Sequence, residues 1–203
     1  MKLKHFLSIF LLLVIFLIFN IFSYSNRVFA GLQDNIFRLH ILANSDSETD
    51  QALKLAVRDS IIEYMKTINI SSTTKEETID NVNSNLDNLK AVAEEKIKEL
   101  GYDYPVTIEV GNFYFPTKYY GNISLPAGDY DALRIKIGEA QGQNWWCSLF
   151  PPLCFIDISS GYLEDEDKKV LEDNLTEEEF MLVSGSSPDV KLKFKILELL
   201  NSK

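Results

Sequence analysis

Histidine and cysteine are both scarce in this 203-residue chain, two of each, and much of the chemistry that depends on them is excluded with them. His40 is the one histidine outside the apolar amino-terminal stretch. One histidine with a Cys147-x6-Cys154 pair reproduces no usual zinc spacing. The acidic runs at Glu164–Asp167, Glu172–Asp173 and Glu177–Glu179 lack the alternating oxygens, mid-loop glycine and closing glutamate of a calcium-binding EF-hand loop. Gly138 to Gln143 is a flexible glycine-containing run without the Walker spacing or a helix cap behind it. No serine-nucleophile elbow and no paired catalytic carboxylates are visible, so neither a metal nor a cofactor is expected. Basic charge is also short. Lys+Arg number 20 against 30 Asp+Glu, for a net charge of −10. Three of the basic side chains (Lys2, Lys4, Arg27) lie in the first 30 residues, so the remainder is more acidic still. Such a body repels phosphate backbones, and nucleic-acid binding is excluded.

Long apolar runs are absent but for one. Phe6 to Phe22 is interrupted only by Ser8 and Asn20, follows Lys2 and Lys4, and leads to Val28-Phe29-Ala30-Gly31. A basic start, an apolar core and small or aliphatic residues at Val28 and Ala30 fit a signal peptide cleaved after Ala30. The run is also close to the roughly 20 residues that span a bilayer, which fits an uncleaved anchor. Either version places the body outside the cytoplasm. Residues 1–30 are therefore a signal peptide or membrane anchor, and residues 31–203 a single exported domain. Outside the cytoplasm Cys147 and Cys154 are expected to pair, with Pro151 and Pro152 turning the chain between them. Two buried free thiols are the alternative.

The body reads as α+β: an antiparallel sheet packed against two long amphipathic helices, with short carboxyl-terminal helices. Ile36–Leu42 is a strand, ended by the polar turn Asn44–Ser47. Ser47 with Asp50, or Ser45 with Glu48, opens a helix to about Lys66. Thr73 and Thr74 open a second, long helix with apolar positions from Ile79 to Leu100, stopped by Gly101. Strands follow through Val106–Val110, a turn or bulge at Gly111-Asn112 and Phe113–Phe115; Tyr119, Tyr120 and Ile123 lead to a turn at Pro126–Asp129, and Leu133–Ile137 is a further strand. The acidic runs flank short apolar segments that suit short surface helices. Ser187-Pro188-Asp189 marks another helix start, although Val190 to Ile196 also alternates like a strand.

Both tryptophans of the protein are adjacent, in Asn144-Trp145-Trp146-Cys147-Ser148-Leu149-Phe150-Pro151-Pro152-Leu153-Cys154-Phe155. Tryptophan is enriched at binding hot spots because it buries a large area at low conformational cost. A core plug and a partner contact are both open to this segment. Trp145, Trp146 and Phe150 are its candidate contacts, with the turn at Asn44 and Asp46 second. The competing enzymatic reading is an exported cysteine hydrolase in which His40 activates Cys147 or Cys154.

Arg38–Ser47, Asp50–Leu55, Val57–Asp59, Asp131–Gly138 and the double-Trp, double-Cys, double-Pro string resemble the stage II sporulation protein R family, over roughly Ile36 to Phe155. The resemblance implies a non-enzymatic signalling protein of endospore-forming bacteria, made in the forespore and exported into the space between its membrane and that of the mother cell. There it would trigger a membrane-embedded aspartic protease that processes the precursor of the early mother-cell sigma factor, sigma E. The family brings no catalytic residues with it.

Overall fold

The computed structural model describes residues 2–69, 72–155 and 165–185; the helix expected from Ser187 lies outside them. Helix α1 (Lys2–Asp34) runs without a break through the apolar stretch and past Ala30. At 1.5 Å per residue its 33 residues reach about 50 Å. Its apolar side chains from Leu3 to Phe22, Val14 excepted, are exposed, and it is long and apolar enough to cross a membrane. Its last turn is different, being stitched to the body. Leu32 is fully buried, Gln33 Nε2 donates to the Asp129 carbonyl at 2.8 Å, and the Asp34 carbonyl accepts from Lys75 Nζ at 2.9 Å. Just beyond it, Asn35 Nδ2 donates to the Glu179 carboxylate.

Strand β1 (Phe37–Leu42) enters the core directly from α1. Helix α2 (Glu48–Ile68) follows, with Ser47 as its N-cap accepting from the Asp50 amide. Glu48 and Asp50 in its first turn and Lys66 in its last suit the helix dipole. Leu53, Val57, Ile61 and Met65 repeat every four residues and are buried. The one long helix expected after Thr73 is instead two, α3 (Lys75–Ser84) and α4 (Leu86–Glu99). Thr74 caps α3, and Asn85 divides the pair. Asn85 turns its amide to the Val82 carbonyl and its Nδ2 to the Asn81 carbonyl, and its Oδ1 accepts from Tyr64 and Asn88. Asparagine competes for backbone partners in this way, so the apolar period runs on through a break in the helix.

The sheet comprises β2 (Val106–Phe115), β5 (Gly128–Ile137), β1 and β6 (Asn144–Phe150), in the order β2-β5-β1-β6. The α+β class is as expected, and the sheet is mixed. β2/β5 and β1/β6 are antiparallel, while the central pair β1/β5 is parallel. No turn or bulge occurs at Gly111-Asn112; the ladder is regular from Val106↔Ile137 to Phe115↔Gly128, so Gly128 and Asp129, expected in a turn, already pair within β5. The Phe113 ring lies against Gly111, occupying the space a Cβ would need. A small hairpin, β3 (Lys118–Tyr120) and β4 (Ile123–Leu125), buries Tyr120, Ile123 and Leu125.

Helices α2, α3 and α4 cover one face of the sheet, where Phe37, Leu39, Ile41, Leu133 and Ile135 are fully buried. Two contacts fix that assignment: Arg58 of α2 lies over the Trp145 ring, and Lys75 of α3 pairs with Asp131 at 2.7 Å. Short helices α5 (Asp165–Asn174) and α6 (Glu177–Ser184) follow, as the acidic runs led one to expect. Thr176 and Glu179 form a full capping box on α6, and Gly185 ends it in the left-handed region, φ 62°. Gly31 brings α1 against Glu179, where a Cβ would collide with the carboxylate.

Candidate functional site

Strand alternation sends the two tryptophans to opposite faces. In β6, Trp145 pairs with Ile41 and Trp146 with His40. Trp145 therefore points to the helical side, its ring 4.1 Å from the Arg58 guanidinium carbon. Trp146 lies on the other side, stacked on His40 with centroids 3.7 Å apart and edge-on to Phe115 at 4.8 Å. Lys118 of the hairpin approaches its ring at 5.8 Å. Both indoles are half-buried. Further along the strand, Cys147 to Phe150 are buried, and Phe150 is 9% exposed.

Cys147 and Cys154 are joined by a disulfide, their Cα atoms 5.2 Å apart. It closes the loop that leaves β6 and ties the following turn (Leu153–Phe155) back onto the strand. Ser148 Oγ, buried, donates to the Phe150 carbonyl at 2.9 Å.

The Asn44 turn is a hydrogen-bonded knot. Asn44 Nδ2 donates to Asp50 Oδ2 at 2.8 Å, and its Oδ1 accepts from the Glu139 amide at 2.9 Å. Asp46 Oδ1 accepts from the Gln143 amide at 2.7 Å. Hydrogen bonds from Ser45 and Asn44 hold the Asp50 carboxyl below the usual range. The glycine run expected to be flexible is thereby fixed, since the Gln141 and Gly142 amides also donate to the Asn44 and Ala43 carbonyls. Gly138 takes φ 58°, and Gly142 passes too close to Ser45 for any side chain.

His40 and the cysteines are not brought together as a dyad. Cys147 is opposite Leu39, whose side chain is on the helical face, and both sulfurs are in the disulfide. His40 is on the other face, 5% exposed. Burial lowers its pKa to about 4, the neighbouring Arg134, Arg38 and Lys136 working in the same direction and the Asn144 side chain opposing. The ring is neutral at pH 7. Among the described residues, no three His, Cys, Asp or Glu side chains are close enough to hold a metal ion.

Sequence reasoning missed Arg38. It is fully buried, with Nη2 donating to Tyr120 Oη at 3.0 Å and the guanidinium carbon 4.3 Å from the Phe115 centroid and 5.1 Å from that of Tyr130. Nε and Nη1 have no partner among the described residues, and no carboxylate there pairs with it. The available signal was an arginine inside a central strand that is apolar but for it and His40.

These features define an α+β domain behind an amino-terminal apolar helix that fits a signal peptide or anchor, with a disulfide that suggests export and an aromatic strand beside it. The profile of the stage II sporulation protein R family matches residues 33–160. The curated stage II sporulation protein R of Bacillus subtilis (strain 168) is 43% identical over 152 residues, covering 70% of this chain and 68% of the relative. The chain belongs to the stage II sporulation protein R family. No solved structure matches it.

Proposed function

We propose that this protein is an exported, non-enzymatic signal of endospore formation. It acts in the space between forespore and mother cell, where it binds the extracytoplasmic face of a membrane-embedded aspartic protease. Binding favours the protease's active arrangement, and the protease then processes the precursor of sigma E. Family membership carries this reading. The site supports it: the one histidine of the body is stacked and neutral, both thiols are consumed, and Trp146 remains half-buried at the surface. A ligand that shifts a protease from about 1:99 to 99:1 needs roughly 5.5 kcal/mol of preference for the active state. A tryptophan-centred contact is of the kind that supplies a large share of such energies.

Co-expression of this chain with the protease and the sigma-factor precursor in a non-sporulating host tests the reading, with precursor size followed by immunoblot. Processing should require both this chain and an active protease, and should survive His40→Ala if the fold does. An intact precursor with all three proteins correctly placed overturns it.

A further inference from the structure

The sheet face opposite α2 and α4 is only partly roofed by the β3–β4 hairpin. On the remainder, cations lie over aromatic rings. The Arg134 guanidinium carbon is 3.7 Å from the Phe113 centroid, and Lys118 Nζ is 5.8 Å from that of Trp146. Lys136 adds a third cation beside Arg134 on β5. Glu109 faces them from β2, its Oε1 2.7 Å from both Arg134 Nη2 and Lys136 Nζ. The Arg134 and Lys136 side chains are 24% and 33% exposed. In a chain of net charge −10, two cations on one carboxylate, with Lys118 over Trp146, form a local positive spot flanked by the half-buried rings of Phe113 and Trp146.

β5 begins beside the last turn of α1, where Gln33 holds Asp129. Lys136 is seven residues further on, about 23 Å away at strand rise. Lys136 thus lies toward the end of β5 away from its contact with α1, while Phe113, opposite Tyr130, lies toward the near end.

We infer that this cation-and-aromatic patch is the docking surface of the domain, and that it takes a carboxylate-bearing segment of a partner protein. The inference rests on the signalling reading above and adds the partner's chemistry to it. Arginine and tryptophan are the side chains that dominate contact energies, and opposite charge speeds and orients the encounter. Glu109 holds Arg134 and Lys136 in place while leaving donors on both for an incoming carboxylate.

The full chain in phosphatidylcholine nanodiscs, offered to the tagged aspartic protease in separate nanodiscs, provides the test. Capture should fall steeply between about 50 and 300 mM salt, a range over which screening shortens well below the patch dimensions. Arg134→Glu with Lys136→Glu should reduce capture at least about tenfold, whereas Glu109→Gln should hold or raise it. Thermal melts of each variant separate folding from docking; if the double reversal melts early, Lys118→Glu, whose lysine makes no ion pair among the described residues, decides instead. Folded reversals captured as well as wild type overturn the surface, and so does a wild type that is not captured. Binding to protease-free phosphatidylglycerol vesicles that the reversals abolish also overturns it, in favour of a lipid headgroup. Capture without precursor processing would leave the surface standing and remove the signalling reading. Processing unaffected by the reversals would do the opposite.

Discussion

The imidazole of His40 lies nearly flat on the indole of Trp146, their planes 15° apart, in a site where burial holds the histidine pKa at about 4. An unfolded histidine titrates near 6.5. The folded value is the lower one, so the unfolded state binds more protons between these pH values, and stability falls as pH drops. The loss starts below pH 6.5 and is complete below about pH 4. Its size is about 2 kcal/mol, allowing for the water that still reaches the ring. His40→Phe keeps a stacked ring without the proton, so its melting temperature should be flatter than wild type between pH 6.5 and 4.5. Thermal melts across that window check this, and parallel slopes would rule out His40 as the titrating group.

Arg38 offers a second prediction, because a buried cation without a carboxylate gives little net stability. Replacing it by Met fills the same volume and removes the desolvated charge. Arg38→Met should stay within about 1 kcal/mol of wild type, although Tyr120 loses its donor. Arg38→Ala leaves a cavity between Phe115 and Tyr130 and should cost about 3 kcal/mol or more. Denaturant titration of the two variants distinguishes charge from volume; equal losses would mean that the guanidinium itself is needed.

The knot at Asn44 gives a third. Asn44→Ala removes one donor to Asp50 and one acceptor for the Glu139 amide, for a loss of about 2 kcal/mol. Gly138→Ala should be worse, since the residue has φ 58° and its new methyl would meet Asn44 Oδ1. Hydrogen exchange should show the amides of Glu139 and Gln141 to Gln143 protected in wild type and open in Asn44→Ala. Unprotected amides in wild type would contradict the knot.

Local signals carried most of the fold. Ser47 and Thr74 cap helices by hydrogen bonds that reach only three residues, and the four-residue stripe from Leu53 to Ile61 needs no partner to be recognised. Pairing was less legible. The parallel β1/β5 contact joins segments about 95 residues apart, and nothing within Ile36–Leu42 distinguishes a parallel neighbour from an antiparallel one. The break at Asn85 was hidden because the apolar period continues across it. At the site, composition singled out the two tryptophans, but only the register with Ile41 and His40 shows that they serve different faces. Gly138 to Gln143 was read as loose because its partners, Asn44 and Asp46, are nearly a hundred positions away.

The division between the tryptophans yields the last prediction. Trp145 packs toward α2 beneath Arg58, so Trp145→Ala should lower stability by about 1 to 2 kcal/mol through lost packing and the cation–π contact. Processing of the sigma-factor precursor should then stay near wild type wherever the protein is folded. Trp146 lies at the margin of the positive patch, between His40 and Lys118, and its indole edge is what a partner would meet. Trp146→Ala should therefore reduce precursor processing at least about tenfold, in the range of a hot-spot truncation. Trp146→Phe, which keeps a ring on His40, should recover stability more fully than it recovers signalling. Melting temperature and immunoblot on the same three variants compare the two readouts directly. If the losses of stability and processing rise together across them, Trp146 acts as core and the contact must be sought elsewhere on the sheet face.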